Sequence, residues 1–582
     1  VPVQARYHFE PEAHEAQLRA VLRAVAETPA PNAKTLDRIM RQHPKVGGAV
    51  FSKHELIRGV RHFGASLGLD AEALIEKLRM KPMRTQSGVA PVTVLSKPFA
   101  CPGQCIFCPN DVRMPKSYLS MEPGAQRAAQ HRFDPYTQTM SRLMAFFGNG
   151  HPIDKVELIV LGGTWSFYPE AYQIWFIKRC FDAMNDFEGV HRSLPLPDAR
   201  LIDFQDNEAE VRGAELRESY NEVIRKFTAQ TSNWDEASWS ELEAAHTQNE
   251  TALARCVGLS LETRPDHVSR EEVHRLRRLG ATKIQIGIQS LSDEVLALNK
   301  RGHDVATSRE AVGLLRGAGF KIHAHWMPNL YGSTPEQDVE DYKGLFDSPD
   351  FRPDELKIYP CALIESAELM QPYLQGLWRP YTEQELVQIL LSCMSKTPAW
   401  CRLTRVIRDI PSHDIVVGNT ESNFRQRIEK KARDEQVGLQ DIRAREIRRD
   451  PVDPETLRLD SQSYDTSTSR ETFLQIVTPE DRIVGYLRLS VPHQSPQGEL
   501  QEAALIREVH VYGVLTEIGA QKQGRAQHLG LGRRLVDEAI QRARDTGAKK
   551  LSVISGIGTR PYYRKLGFVD GQLYQHYWLK RP

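Results

Sequence analysis

Apolar positions change their period twice along this chain. Over roughly the first 85 residues they recur at helical spacing, as in EAHEAQLRAVLRAVAET and DAEALIEKLRM, which predicts amphipathic helices. From about residue 86 short β-branched runs take over: VAPVTVLSKP, KVELIVLGGT, CVGLSLETRPD, KIQIGIQS, KIHAHWMPNL and DELKIYP. Each reads as a buried strand that ends in polar or Gly-rich residues, and helical stretches such as REEVHRLRRLG and TSREAVGLLRGAG lie between several of them. Repeated strand–helix units predict an α/β fold with a parallel, partly closed TIM-like (β/α) sheet over 86–395. In such barrels the chemistry sits at the C-terminal strand ends. Residues 186–245 break the rhythm and read as an acidic, partly helical insertion. Residues 396–460 are Arg-rich and read as a linker, and Asp460–Arg470 as a loop or edge segment. The last unit, 461–582, is a compact α/β pattern in which the strands ETFLQIVTP, RIVGYLRLSV and AALIREVHVYG precede the helix GLGRRLVDEAIQRARDTG and the strand KKLSVISG.

At 582 residues the chain needs two to four cores. A net charge of +1 means that any nucleic-acid binding must come from local patches. One candidate patch holds Lys34, Arg38, Arg41, Lys45, Lys53, Arg58 and Arg61 against only Asp37 and Glu55. Charge alone leaves open whether this is a solvated helix face or a phosphate-contacting surface. No apolar run reaches the roughly 20 residues of a membrane span, and no signal-peptide core opens the sequence. Eight cysteines, three of them clustered, do not form a secreted disulfide framework, so a reducing cytoplasm is expected.

The cluster is Cys101, Cys105 and Cys108 in SKPFACPGQCIFCPND, spaced C-x3-C-x2-C, with Gly103 allowing a tight bend. Three thiolates on one short loop can hold three corners of an iron–sulfur cube and leave the fourth iron open. A zinc site completed from elsewhere, or plain buried thiols, also satisfies the spacing. The loop follows the first barrel strand, and Gly162, Gly163 and Thr164 end the second. In this the segment resembles the radical S-adenosylmethionine (SAM) enzymes. That resemblance implies a [4Fe–4S] cluster on the three cysteines, SAM on the open iron, and the Gly-Gly-Thr backbone at the SAM amino group.

KPMRTQSGVAPVTVLSKP, DKVELIVLGGT, CVGLSLETRPD, GIQSLSDEVLALNKRGH and LKIYP together resemble the family of the Elongator catalytic subunit and its stand-alone bacterial and archaeal relatives. The resemblance implies Glu262 and Gln289 as SAM contacts, with Arg264 and Lys283 lining the same pocket. A barrel-interior ion pair is the alternative for Glu262 and Lys283. His323 and His325 stay outside the catalytic set, because a lone strand histidine is more often structural.

QHLGLGRRL opens a helix with a Q-x-x-G-x-G turn, which presents backbone N–H groups and the positive helix end to a pyrophosphate. With the strands around it and YYRKLGF after it, the unit resembles the GNAT acetyl-CoA-binding fold. The resemblance implies acetyl-CoA contacts at the backbone of Glu508, Val509, His510 and Val511, at Gln527, Gly530, Leu531, Gly532 and Arg533, and a catalytic position for Tyr563. Lys155 matches a family position that orients the thioester. The family activity so implied is carboxymethylation of the tRNA wobble uridine, by a stand-alone chain or homodimer that grips the anticodon stem-loop through the 34–62 patch and arginines of 402–449. A lysine acetyltransferase with a structural barrel, and an RNA-binding assembly subunit, are the alternatives. Cys361, Cys393 and Cys401 with His413 form a candidate zinc set of irregular spacing, whereas LQDIRAREI has no cysteine and offers no such site.

Overall fold

The computed structural model describes residues 9–29, 31–80, 88–190, 194, 219–228, 235–408, 410–421, 423–448, 450, 452–512 and 530–579. Near the N-terminus, helices Glu15–Glu27, Ala33–Gln42, Lys53–Phe63 and Ala71–Leu78 pack around Leu18, Leu22, Ile39, Leu56 and Val60 as a core of their own. Asn32, Ser52 and Asp70 cap the last three by accepting a backbone N–H of the first turn. Lys34, Arg38 and Arg41 share one exposed face of Ala33–Gln42. Arg61 instead turns inward, its guanidinium 3.4 Å from the Phe147 ring centroid of the next domain.

The central sheet has seven parallel strands in the order β1-β2-β3-β4-β5-β6-β8. Their ranges are β1 Ala90–Leu95, β2 Lys155–Leu161, β3 Arg255–Thr263, β4 Lys283–Gln289, β5 Lys321–Trp326, β6 Glu355–Ile358 and β8 Arg402–Arg405. A small antiparallel pair, β7 Leu363–Ile364 and β9 Ile415–Val417, lies beside it. Helices between the strands cover the outer face, which carries Val156, Leu158, Ile284, Ile286, Ile322, Ala324 and Leu356. The expected boundary at 395 needs correction, because β8 belongs to this sheet. Its pattern is too short to register as a strand, and only pairing with β6 reveals it.

The second sheet runs β10-β11-β12-β13-β14-β16-β15, from β10 Arg458–Asp465, β11 Ser469–Val477, β12 Ile483–Pro492, β13 Ala503–Val511, β14 Lys550–Val553, β15 Val569–Asp570 and β16 Gln575–Trp578. The polar tract at 460–470 is therefore mostly an edge strand. β13 and β14 pair in parallel only from Ala503 to Ile506, whereas β12 follows β13 out to Val511. Beyond Ile506 one side of β13 has no strand neighbour among the described residues, and a gap opens between β13 and β14.

The two sheets meet without a spacer. A Cβ on Gly556 would stand 2.3 Å from the Val257 carbonyl oxygen, and one on Gly558 2.6 Å from the Arg255 Cβ. Only glycine lets this loop lie directly on β3. The buried Arg277 guanidinium donates to the Ser555 carbonyl at 2.9 Å and the Leu573 carbonyl at 2.7 Å, fastening the same loop from the barrel side.

Candidate active site

A cavity of about 1470 Å³ runs through the barrel and into the gap of the second sheet. Its walls follow the two-residue period of strands. Lys155, Glu157, Ile159 and Leu161 line it from β2, then Lys283, Gln285, Gly287 and Gln289 from β4. Lys321, His323 and His325 follow from β5, and Glu355 and Lys357 from β6. The intervening residues face the apolar core.

The cysteine loop closes the end formed by the C-terminal strand ends. Cys101, Cys105 and Cys108 all line the cavity. Arg301 donates to the Cys105 sulfur at 3.3 Å, and Arg264 at 3.8 Å. The Cys108 thiol donating to Cys105, followed by these two guanidinium groups, holds Cys105 well below the usual thiol range. The same hydrogen bond, together with burial, pushes Cys108 up. Gly103 sits where a Cβ would be 2.1 Å from Arg264 Nη1, so the bend brings backbone against that guanidinium. Among the described residues no three His, Cys, Asp or Glu side chains converge on a single metal ion. Three soft sulfurs on one loop, with the buried Arg301 and Arg264 against that of Cys105, fit a thiolate-ligated anionic group.

The neighbouring strand ends form a cradle. Gly162 has φ +129°, and a Cβ there would stand 2.1 Å from Ser96 Oγ; Gly163 has φ +65°. Thr164 Oγ1 lies 3.9 Å from the Cys101 sulfur. Gln289 occupies the left-handed region at φ +71°, and its buried Oε1 has no hydrogen-bond partner. A strained backbone with an orphaned buried acceptor fits a bound polar ligand. Glu262 accepts from the Tyr118 hydroxyl at 3.4 Å, with His325 Nδ1 at 3.8 Å. Burial raises its carboxyl despite the cations of Lys357 and Arg408.

Midway along the cavity Lys357 donates to Gln285 Oε1, which also faces His325 Nε2 at 3.3 Å. Burial brings the Lys357 ammonium down to about 8, against the attraction of Glu262. Burial also lowers His323 and His325, so both rings are neutral at pH 7.

The opposite end belongs to the strand starts and the second sheet. Lys283 pairs with Glu157 and, at 3.2 Å, with Glu355. Burial alone would lower its ammonium, but the two carboxylates outweigh that and leave it raised. Lys321 bridges Glu355 at 3.4 Å and Glu508 at 2.5 Å, and Arg488 holds the other Glu508 oxygen at 2.9 Å. The side chain of Glu508 is thus occupied, while the backbone of 508–511 faces the gap beside β13. Helix Leu531–Asp545 starts at the same gap behind Gly530, at φ +67°, with no side-chain cap. Gly530, Gly532 and Arg533 line the cavity there, and so does Tyr563, whose hydroxyl burial raises. Lys155, its ammonium lowered by burial, stands at the same end beside Arg255.

The family models agree with this division. "Radical SAM superfamily" matches 230–343, "Radical_SAM C-terminal domain" 353–434, and "Acetyltransferase (GNAT) family" 439–568. The tRNA uridine(34) acetyltransferase of Methanocaldococcus infernus is 37% identical over 515 residues, covering 86% of this chain and 87% of that protein. The Homo sapiens Elongator complex protein 3 is 32% identical over 516 residues, covering 85% of each. The solved structure of the archaeal Methanocaldococcus infernus Elp3 with an N-terminal deletion aligns at TM-score 0.67 and 33% identity, over 84% of this chain and 99% of that one. The chain belongs to the Elp3/tRNA uridine(34) acetyltransferase family. As a member it joins a SAM-using domain and an acyl-CoA-using domain in one polypeptide.

Family membership leaves the individual residues to the geometry. The cavity gathers Cys101, Cys105, Cys108, Gly163, Thr164, Glu262, Arg264 and Gln289 at one end. It gathers Lys155, Glu508, Val509, His510, Val511, Gly530, Gly532, Arg533 and Tyr563 at the other. Leu531 is buried in the core, and Gln527 lies outside the described residues. Lys283 lines the same cavity as Glu262, Arg264 and Gln289, but from the start of β4, where it pairs with Glu157 and Glu355, while Gln289 ends that strand. Arg301, Lys357, Gln285 and Tyr118 escaped the sequence reading. Arg301 and Lys357 stood inside quoted motifs, NKRGH and LKIYP; for Lys357 the available signal was a charged residue in a buried strand, whereas Arg301 lies in the loop after helix Asp293–Leu298.

Three arginines of the 402–449 segment depart from the expected RNA-contacting surface, whereas Arg433 and Arg448 stay exposed. Arg402 pairs with Glu446, Arg408 with Glu122 and Arg445 with Asp481, each less than a third exposed. Their charge is largely spent inside the protein. Cys361 lies in a satellite core with Ile106 and Leu363, Cys393 and Cys401 lie in the main core, and His413 is exposed. The four do not form one site. No helix among the described residues is long and apolar enough to cross a membrane.

Proposed function

We propose that this chain makes 5-carboxymethyluridine at the tRNA wobble position, with SAM as radical source and acetyl-CoA as carbon donor. The observation that carries this reading is the single cavity joining the three cysteine sulfurs to the acyl-CoA end. Cys101, Cys105 and Cys108 would hold a [4Fe–4S] cluster, which would supply the electron for reductive cleavage of SAM, radical chemistry able to take a hydrogen atom from an acetyl methyl group that no ordinary side-chain base deprotonates. That carbon would add to uracil C5, the C5 hydrogen would leave as a proton while the remaining electron passes to a one-electron acceptor such as the oxidised cluster, and thioester hydrolysis would give the product.

The chain's own groups orient the partners. Glu262, the orphaned Gln289 oxygen and the Gly162–Gly163 backbone hold SAM. The N-terminus of Leu531–Asp545 takes the pyrophosphate of acetyl-CoA, the cavity-lining side of β13 its amide chain, and Lys155 the thioester. The base enters turned out of its stack, and the exposed face bearing Lys34, Arg38 and Arg41 contacts phosphate.

The test is anaerobic turnover with tRNA, SAM and acetyl-CoA deuterated at the methyl group, followed by mass spectrometry of the nucleosides. The carboxymethyl group is expected to keep two of the three deuterium atoms, and 5′-deoxyadenosine to gain the third. Label found on protein lysines and absent from uridine would overturn the reading in favour of amine acetylation. Lys155→Ala is expected to cut tRNA-stimulated acetyl-CoA turnover about 100-fold by misplacing the thioester. Its tRNA affinity, measured by filter binding, stays at the wild-type value.

A further inference from the structure

The insertion between β2 and β3 returns to the cysteine loop. Its helix Tyr220–Thr228 places Asn221 against the backbone of Cys101. The Cys101 N–H donates to Asn221 Oδ1 at 2.9 Å, and Asn221 Nδ2 donates to the Cys101 carbonyl at 2.7 Å. The Tyr220 hydroxyl donates to the Met114 carbonyl at 2.9 Å, and the Lys116 ammonium lies 4.8 Å from the Tyr220 ring centroid. Val223 and Ile224 pack on Val112 and Ala100. Further along the same insertion Asp235 pairs with Lys97 at 2.6 Å. The loop is therefore held before the first cysteine, at it, and after the third.

A two-way amide pair is more specific than packing. It satisfies both backbone groups of one residue and fixes the peptide planes on either side of its Cα. Those planes set the direction of the Cα–Cβ bond, and so where the sulfur can reach. An insertion that served only to cover apolar surface would have no need to address the backbone of a ligand residue.

We propose that the insertion is a clasp on the cysteine loop, and that Asn221 is the positioning residue that aims the Cys101 sulfur at the group the three cysteines hold. The proposal rests on reading Cys101, Cys105 and Cys108 as a ligand set. Cluster assembly then needs the clasp seated, and cluster retention depends on it.

The test uses the full chain as wild type, Asn221→Ala, Asn221→Asp and Tyr220→Phe. In cluster-free protein, iodoacetamide labelling of Cys101 is followed by peptide mass spectrometry, with Cys108 as the internal reference. Losing both amide hydrogen bonds is expected to speed Cys101 labelling about tenfold in Asn221→Ala. Asn221→Asp, which keeps the acceptor, falls between that variant and wild type, and Cys108 changes little. In anaerobically reconstituted protein, iron release to a chelator accelerates in the same order, with Tyr220→Phe showing a smaller increase. Unchanged labelling and iron release in Asn221→Ala would overturn the proposal. So would a uniform rise at all three cysteines with a lower melting temperature, which would mark mere packing. The labelling arm needs neither SAM nor tRNA, so it reads the clasp even where the uridine chemistry fails, and a failed clasp leaves the deuterium result standing.

Discussion

Replacing Cys101, Cys105 and Cys108 together by serine is expected to abolish the proposed uridine carboxymethylation and iron binding, yet to leave acetyl-CoA binding intact. Serine hydroxyls are hard, scarcely ionised donors and do not replace three thiolates on iron. The substitution spares the fold, because Arg264 keeps Asp266 at 2.9 Å and Arg301 keeps the Gly287 carbonyl at 2.7 Å once the Cys105 sulfur is gone. The acyl-CoA end lies at the other end of the barrel and shares no side chain with the loop. Iron analysis, nucleoside mass spectrometry and acetyl-CoA calorimetry on one preparation read all three effects. Persistent product formation by the triple variant would rule out radical chemistry at this loop.

Asp354→Ala is the largest expected loss of stability. Asp354 is fully buried and takes Arg507 bidentately at 2.6 and 2.7 Å, Arg488 at 3.5 Å and the Ile322 N–H at 2.8 Å. Arg507 also holds Glu471 at 2.8 Å, so this group of charges ties the barrel strands to the second sheet. Removing the carboxylate leaves two buried guanidinium groups undercompensated, which costs about 3–5 kcal/mol. Urea denaturation reads the loss, and a change within about 0.5 kcal/mol would mean that water or rearrangement satisfies both cations.

The same carboxylates set the acid limit. Burial works against them, but Arg507 and Arg488 hold Asp354 below the usual range, and Lys321 and Arg488 draw Glu508 down to about 2. A carboxyl depressed in the folded state contributes stability above its unfolded value, about 4, and loses it as pH falls towards the folded one. Wild-type stability therefore declines below about pH 4, and the Asp354→Ala profile is flatter there.

Local pattern was enough for the first six barrel strands, the cysteine loop and the helix-opening Gly-x-Gly turn, since each is written within a few adjacent residues. Even the cavity wall was partly legible. KIQIGIQ and KIHAHW alternate polar and apolar positions, and such alternation means a strand with two different faces. Which face met the core and which the cavity depended on the curl of the sheet and on the second sheet closing one end. The length of β4 set Lys283 and Gln289 at opposite ends of one strand that lines the cavity. Packing turned Arg402, Arg408 and Arg445 onto Glu446, Glu122 and Asp481, from a segment that read as a basic surface. Asn221 was beyond reach for a simpler reason. It meets Cys101 across 120 residues, and neither position carries any local mark of the other. Sequence period reports how a segment bends; the contact of two distant segments is decided only when the whole chain has packed.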